Sequence, residues 1–163
     1  MADNGPVIDP AHFRQVLGHF PSGVCVVTTV VDGAPAGFAV GSFASVSLDP
    51  PLVLFCAANV SSTLERITRA GAMCVNVLAE DQEAVCRNFA SKSTDKFAGV
   101  GWQPSGNGCP RLDGVLAHID AHVSDQVVEG DHTVVIGRVT DLAVHHEGGP
   151  LLYYRGGYGR FVI

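Results

Sequence analysis

The chain has 163 residues, 47% hydrophobic and 16% charged, with ten basic against sixteen acidic side chains and a net charge of −6. That length suits one domain with one core, and the composition argues against a disordered chain. The few scattered Lys and Arg exclude nucleic acid as a partner, and no apolar run is long enough to cross a bilayer as a helix.

The N-terminal segment MADNGPVIDP lacks a basic stretch followed by an apolar one, so it is no secretory signal and a cytoplasmic location is expected. A single domain is expected over 1–163, with 1–8 as a disordered tail. Asp9-Pro10 then opens a helix, Asp9 as N-cap and Pro10 at the first helical position. Phe13, Val16, Leu17 and Phe20 form one apolar stripe along it, and Pro21-Ser22-Gly23 ends it. Val24–Val31 is a β-branched strand stopped by the hairpin signal Asp32-Gly33.

Two further strands, Phe43–Leu48 and Leu52–Ala57, flank Asp49-Pro50-Pro51, where two successive fixed φ angles stiffen the turn. Ahead of that turn, Gly37, Ala39, Gly41, Ser42, Ala44, Ser45 and Ser47 leave the backbone uncovered. Such a run lets a planar polar ligand approach main-chain groups, or it marks a close strand crossing at a barrel corner. Periodicity alone leaves both readings open.

Ser62-x-x-Glu65 reads as a capping box for a helix through Arg69, closed by Gly71. Met73–Leu78 is a strand and Glu80–Ala90 a helix, acidic at its start with Arg87 near its end. Ser91–Gly114, rich in Gly, Pro, Ser and Asn, is expected to be a long loop. From Ala117 the chain alternates, with Ala117, Ile119, Ala121 and Val123 on one face and His118, Asp120, His122 and Ser124 on the other. Glu129-Gly130-Asp131 turns it into a strand over His132–Val144 that bends at Gly137, and Leu151–Tyr154 is a last strand before a glycine-rich end. Many strands with two or three short helices predict a mainly β fold, a closed antiparallel barrel.

The five cysteines are an odd count without a C-x-x-C pair, and Cys25, Cys56 and Cys74 lie in apolar strands, so neither disulfides nor a zinc cage are expected. The seven histidines show no H-E-x-x-H spacing, and no metal is assigned. A G-x-S-x-G nucleophile elbow is also absent.

The ordered set FPSGVCVVTT, GFAVGSFASVSLDPPLVLFC, CVNVL, GDHTVVIGRV and LLYYRGGYG resembles the flavin reductase family with an FMN-binding split barrel, from about Phe13 to Tyr158. These are reductase components of two-component flavin-dependent monooxygenases. The resemblance implies a split barrel, a homodimer with flavin sites near the subunit interface, and an NAD(P)H:flavin oxidoreductase. Such an enzyme reduces FMN or FAD with NADH or NADPH and passes reduced flavin to a partner monooxygenase. Hydride transfer between two rings needs positioning more than acid–base groups, so no catalytic residue is assigned.

By the same resemblance, Gly37, Phe38, Ala39, Gly41 and Ser42 would line the flavin ring and ribityl chain. Ala39 and Gly41 stand where the family's T-A-S-S-F version carries Thr and Ser, which removes two hydroxyl contacts. Cys56, Ala57 and Ala58 would flank the ribityl chain from the next strand. Ser62-Thr63 at a helix N-terminus, or Ser91-Lys92 ahead of Asp95-Lys96-Phe97, would take the phosphate. His132 would position the nicotinamide, and Tyr154, Arg155, Gly156, Gly157 and Tyr158 would cover the dinucleotide. Two alternatives remain: a non-catalytic flavin- or haem-binding split barrel acting as sensor or store, and a related oxidase of a vitamin-type phosphate ester, for which more cations are expected.

Overall fold

The first helix, α1 (Pro10–Leu17), begins as Asp9 predicts, its carboxylate accepting from the His12 backbone N–H at 3.0 Å. The structure is a computed structural model that describes residues 5–162. Part of the expected 1–8 tail therefore lies outside the described residues; the remainder, Gly5–Ile8, is exposed and carries no helix or strand. The stripe of α1 is present but unburied: Phe13 is 54% exposed and Phe20, just beyond the helix, 77%.

After β1 (Ser22–Gly23), β2 (Cys25–Val31) and β3 (Ala34–Val40) form a hairpin whose turn residues, Asp32 (φ 53°) and Gly33 (φ 74°), both have the positive φ a tight two-residue turn requires. The β4 (Ala44–Ser47) and β5 (Leu52–Ala58) strands pair across the Asp49-Pro50-Pro51 turn. The next helix, α2 (Ser62–Ala70), is capped by Ser61, whose Oγ accepts from the Leu64 N–H at 3.3 Å; the expected Ser62 cap is one residue late. Gly71 closes it in the left-handed region.

β6 (Ala72–Val77) follows, and α3 (Glu83–Ala90) starts three residues after the predicted helix start, because Glu80 and Asp81 belong to the turn before it. The expected loop over 91–114 contains a hairpin, β7 (Trp102–Pro104) and β8 (Pro110–Leu112). Side chains at a distance hold it: Asn76 Oδ1 accepts from Leu112 N–H at 2.8 Å, and Asn76 Nδ2 donates to Pro110 O at 3.3 Å.

β9 (Ala117–Glu129) and β10 (His132–Val144) form a long ribbon with register shifts at Ile136/Gly137, as the bend predicted, and at Val139/Asp141. The polar face of β9 is only half in solvent. His122 and Ser124 are exposed, but His118 and Asp120 are buried. A further hairpin follows, β11 (Leu151–Tyr154) with β12 (Gly157–Arg160), so the glycine-rich segment forms a strand rather than a frayed terminus.

Seven antiparallel strands are ordered β3-β2-β6-β9-β10-β5-β4, beside a β1-β11-β12 sheet and the β7-β8 pair. The fold is thus mainly β with three helices. No ladder joins β3 to β4 or β5 among the described residues, so the expected closure is not made by hydrogen bonds. The sheet nevertheless curls far enough for Phe38 of β3 to meet Phe55 of β5 edge-on, ring centres 5.8 Å apart. Cys25, Val27, Phe55, Ile67, Met73 and Val135 fill the inside of the curl, with α2 packed against it. Val24, Val26, Phe89 and Leu112 pack on the other face of β2, under α3 and β8. Burial on both faces explains the unbroken β-branched run of β2.

Candidate functional site

Between the approaching strands β3 and β5 lies a cavity of about 560 Å³. Phe38, Ala39 and Val40 line it from β3, Gly41 and Ser42 from the segment after it, Cys56, Ala57 and Ala58 from β5, and His132 from the start of β10. Ser61, Phe89, Ala90 and Lys96 complete it. Small side chains on both walls leave main chain at the surface, which suits a flat, polar-edged ring.

Ser42 is committed to the wall. Its Oγ accepts from Cys56 N–H at 2.8 Å and donates to Cys56 O at 3.2 Å, joining the β3–β4 link to β5 just beyond the end of the β4–β5 ladder. His132 faces Ala58 in the β10–β5 register, half exposed, with Nδ1 2.7 Å from Asp131 Oδ1. That bond holds the Asp131 carboxyl below the usual range and fixes the imidazole through Nδ1.

A second cavity of about 450 Å³ shares Lys96 with the first and contains Gly37, Ser62, Thr63, Arg66, Ser91, Lys92, Asp95 and Lys96 in its lining. Arg66, Lys92 and Lys96 face one carboxylate, Asp95, so the cavity favours an anion. Ser62 is exposed on the first turn of α2 and Arg66 follows four residues later on the same face. Thr63 is buried instead, its hydroxyl directed at Gly37 O at 3.4 Å. Ser91 Oγ donates to Asn88 O at 2.7 Å and accepts from Ser93 N–H at 3.2 Å, holding the turn after α3. Lys96 Nζ donates to Phe89 O at 2.9 Å, and burial lowers its pKa from the usual lysine range.

Gly37 has a packing reason to be glycine. A Cβ there would lie 3.0 Å from the Phe89 ring and 3.1 Å from Val27 O. Gly37 is thus small because a helix side chain packs onto it, not because two strands cross there, whereas Ala39 to Ser42 line the cavity wall.

The predicted flavin residues thus divide between two adjoining cavities, with His132 in the first. Tyr154, Arg155, Gly156, Gly157 and Tyr158 line neither. They form the β11–β12 hairpin, anchored by Arg155 N–H to Gly18 O at 2.9 Å. Tyr158 sits under the Arg87 guanidinium, 4.7 Å from its ring centre, with its Oη accepting from Cys86 Sγ at 3.3 Å. Burial, then the Cys86 contact, pushes the phenol up to about 12. Sequence reasoning missed Arg66 and Lys96. The signals were the four-residue step from Ser62 and Lys96's own place in Asp95-Lys96-Phe97.

The flavin reductase like domain matches residues 17–161. The chain belongs to the flavin reductase family. It is 52% identical over 155 residues to a flavin reductase of Pseudomonas putida, covering 94% of this chain and 91% of that one. It is also 52% identical over 151 residues to HsaB, the reductase subunit of a flavin-dependent monooxygenase of Rhodococcus jostii, covering 93% and 77%. Among solved structures, the NADH:FAD oxidoreductase SgcE6 of Streptomyces globisporus, in complex with NAD and FAD fragments, superposes with a TM-score of 0.90 at 34% identity, covering 97% of this chain and 98% of that one.

Proposed function

We propose that this flavin reductase binds the ring of FMN or FAD in the cavity between β3 and β5, with its phosphate in the cation-lined cavity next to it. Family membership and the named relatives make the chain an oxidoreductase, an NAD(P)H-dependent flavin reductase that supplies reduced flavin to a partner monooxygenase. The observation that carries the placement is the junction at Lys96 of a small-walled cavity with one bearing Arg66 and Lys92. The residues fit the group, since a ring is accommodated by small walls and a phosphate by cations at a helix N-terminus.

Bound flavin supplies the hydride-accepting ring. The chain holds it: Ser42 fixes the spacing of the two walls, and Lys96 presents a partly dehydrated cation where the cavities meet. His132, held by Asp131 through Nδ1, keeps Nε2 for the NADH or NADPH that docks over the cavity. The β11–β12 hairpin, from Tyr154 to Tyr158, covers the far part of the dinucleotide. The exposed stripe of α1 and the exposed Val127, Val128, Leu142 and Val144 of the ribbon supply the apolar area of a homodimer, in which the curled sheet serves as a split barrel.

Flavin titration followed by fluorescence tests the placement. Ala58→Phe puts a ring into the cavity and is expected to weaken binding about tenfold or more while the β signal of circular dichroism is kept. Undiminished binding by the folded variant would place the flavin elsewhere.

A further inference from the structure

Beyond both cavities, the β9–β10 ribbon brings three ligating groups together. His118 and Asp120 lie two residues apart on one face of β9, and Asp141 of β10 sits directly opposite Asp120 in the register. The register shift between Val139 and Asp141 sets that alignment. One ligand atom from each residue lies within 4.8 Å of the other two, and His118 Nε2 is 3.8 Å from Asp141 Oδ2.

Two carboxylates facing across a ladder repel, and a buried carboxylate is costly without donors. Asp120 is fully buried. Its Oδ2 accepts from Asn107 N–H at 3.1 Å, and its Oδ1 has no hydrogen-bond partner among the described residues. No Lys or Arg forms an ion pair with Asp120 or Asp141 among those residues. Cys74, paired with Asp120 in the β6–β9 register, offers only a thiol, a weak donor. The buried Asp120 and the exposed Asp141 opposite it therefore lack a Lys or Arg partner among the described residues, and His118 is the basic group beside them.

We propose that His118, Asp120 and Asp141 bind a divalent transition-metal cation of the Zn²⁺ type. Imidazole and carboxylate are ordinary ligands of such an ion. His118 is prepared for the role: Nδ1 is 2.8 Å from His145 Nε2, the outer-shell hydrogen bond that orients a metal-binding imidazole, so Nε2 faces the carboxylates. Metal–ligand bonds of about 2.1 Å require ligand atoms about 3.4 Å apart, so His118 Nε2 and Asp141 Oδ2, now 3.8 Å apart, must draw closer. Asp141, 63% exposed, is the side chain free to make that move. Because Asn107 between β7 and β8 binds Asp120, the ion would clamp that hairpin to the β9–β10 ribbon. The sequence shows no such site because no local spacing brings residue 141 to residues 118 and 120.

The test is calorimetric titration of the chelator-treated full chain with ZnCl₂, beside Asp141→Asn, whose exposed position spares the fold. The expected result is saturable uptake of a single Zn²⁺ per chain, weakened about tenfold or more in the variant, with flavin titration unchanged in both. A melting temperature raised by Zn²⁺ in the native chain alone would agree. Uptake equal in native and Asp141→Asn chains overturns the proposal by placing the metal elsewhere. No saturable uptake overturns it as well.

Discussion

His132 owes its position to strand register and its orientation to one carboxylate. On the proposed reading it acts on the dinucleotide rather than on the flavin. His132→Ala should slow flavin reduction roughly ten- to hundredfold with the flavin dissociation constant nearly unchanged; parallel loss of flavin binding would contradict that division. Arg66 carries the opposite prediction. Arg66→Ala removes a charge-assisted contact to phosphate and should weaken flavin binding about tenfold while leaving the reduction rate at saturation intact. The cysteines offer a third test at this scale. Burial pushes Cys25 up to about 12 and Cys109 up to about 11, and raises Cys74 and Cys86 as well, so all four remain inert thiols in the native state. Cys56, only partly buried and in the wall between β3 and β5, should react first with a maleimide, and added flavin should protect it. Mass spectrometry of the labelled protein reads both outcomes.

At the scale of elements, Ser61 and Ser62 have separate roles. Ser61→Ala should cost about 1 kcal/mol of stability by removing the α2 cap. Ser62→Ala should leave the denaturation midpoint in place and weaken flavin binding instead. The apolar stripe of α1 is legible as a period, but the sequence does not say what faces it. If α1 lies in the proposed dimer face, Phe13→Asp with Phe20→Asp should shift the protein toward monomer in light scattering without unfolding it, since neither side chain enters the core.

What the sequence reveals of these elements follows from how local their causes are. The hairpin at Asp32-Gly33, the Gly71 cap and the bend at Gly137 were readable because each depends on its own few residues. The β7–β8 hairpin was not, because its strands are three residues long and Asn76, more than thirty positions away, supplies the bonds that hold it. β12 reads as a loose tail because Gly157-Tyr158-Gly159-Arg160 carries no alternation, and pairing with β11 makes it a strand. The residues walling the cavity between β3 and β5 are legible through ordered motifs, whereas Arg66 and Lys96 line cavities that only the folded chain brings together.

For the molecule as a whole, buried thiols couple stability to alkaline pH. Cys25 and Cys109 keep their protons in the folded chain to about 12 and about 11, above the ordinary 9.0. The folded state therefore holds more protons than the unfolded one above pH 9, and the stability present below that pH is lost as pH rises toward 11 and 12. Cys25 alone accounts for roughly 2 kcal/mol between pH 9 and about 10.5. The urea midpoint should fall over that interval, and a flat profile would show that these thiols are not buried as described.

Anaerobic stopped-flow absorbance of the protein with FMN or FAD, mixed with NADH or NADPH, tests the central claim most directly. The expected result is rapid bleaching of the flavin band, saturable in the dinucleotide and fastest for one pairing of flavin and donor. Flavin that binds and is not bleached by either dinucleotide would contradict it and favour a sensor or store built on the same fold.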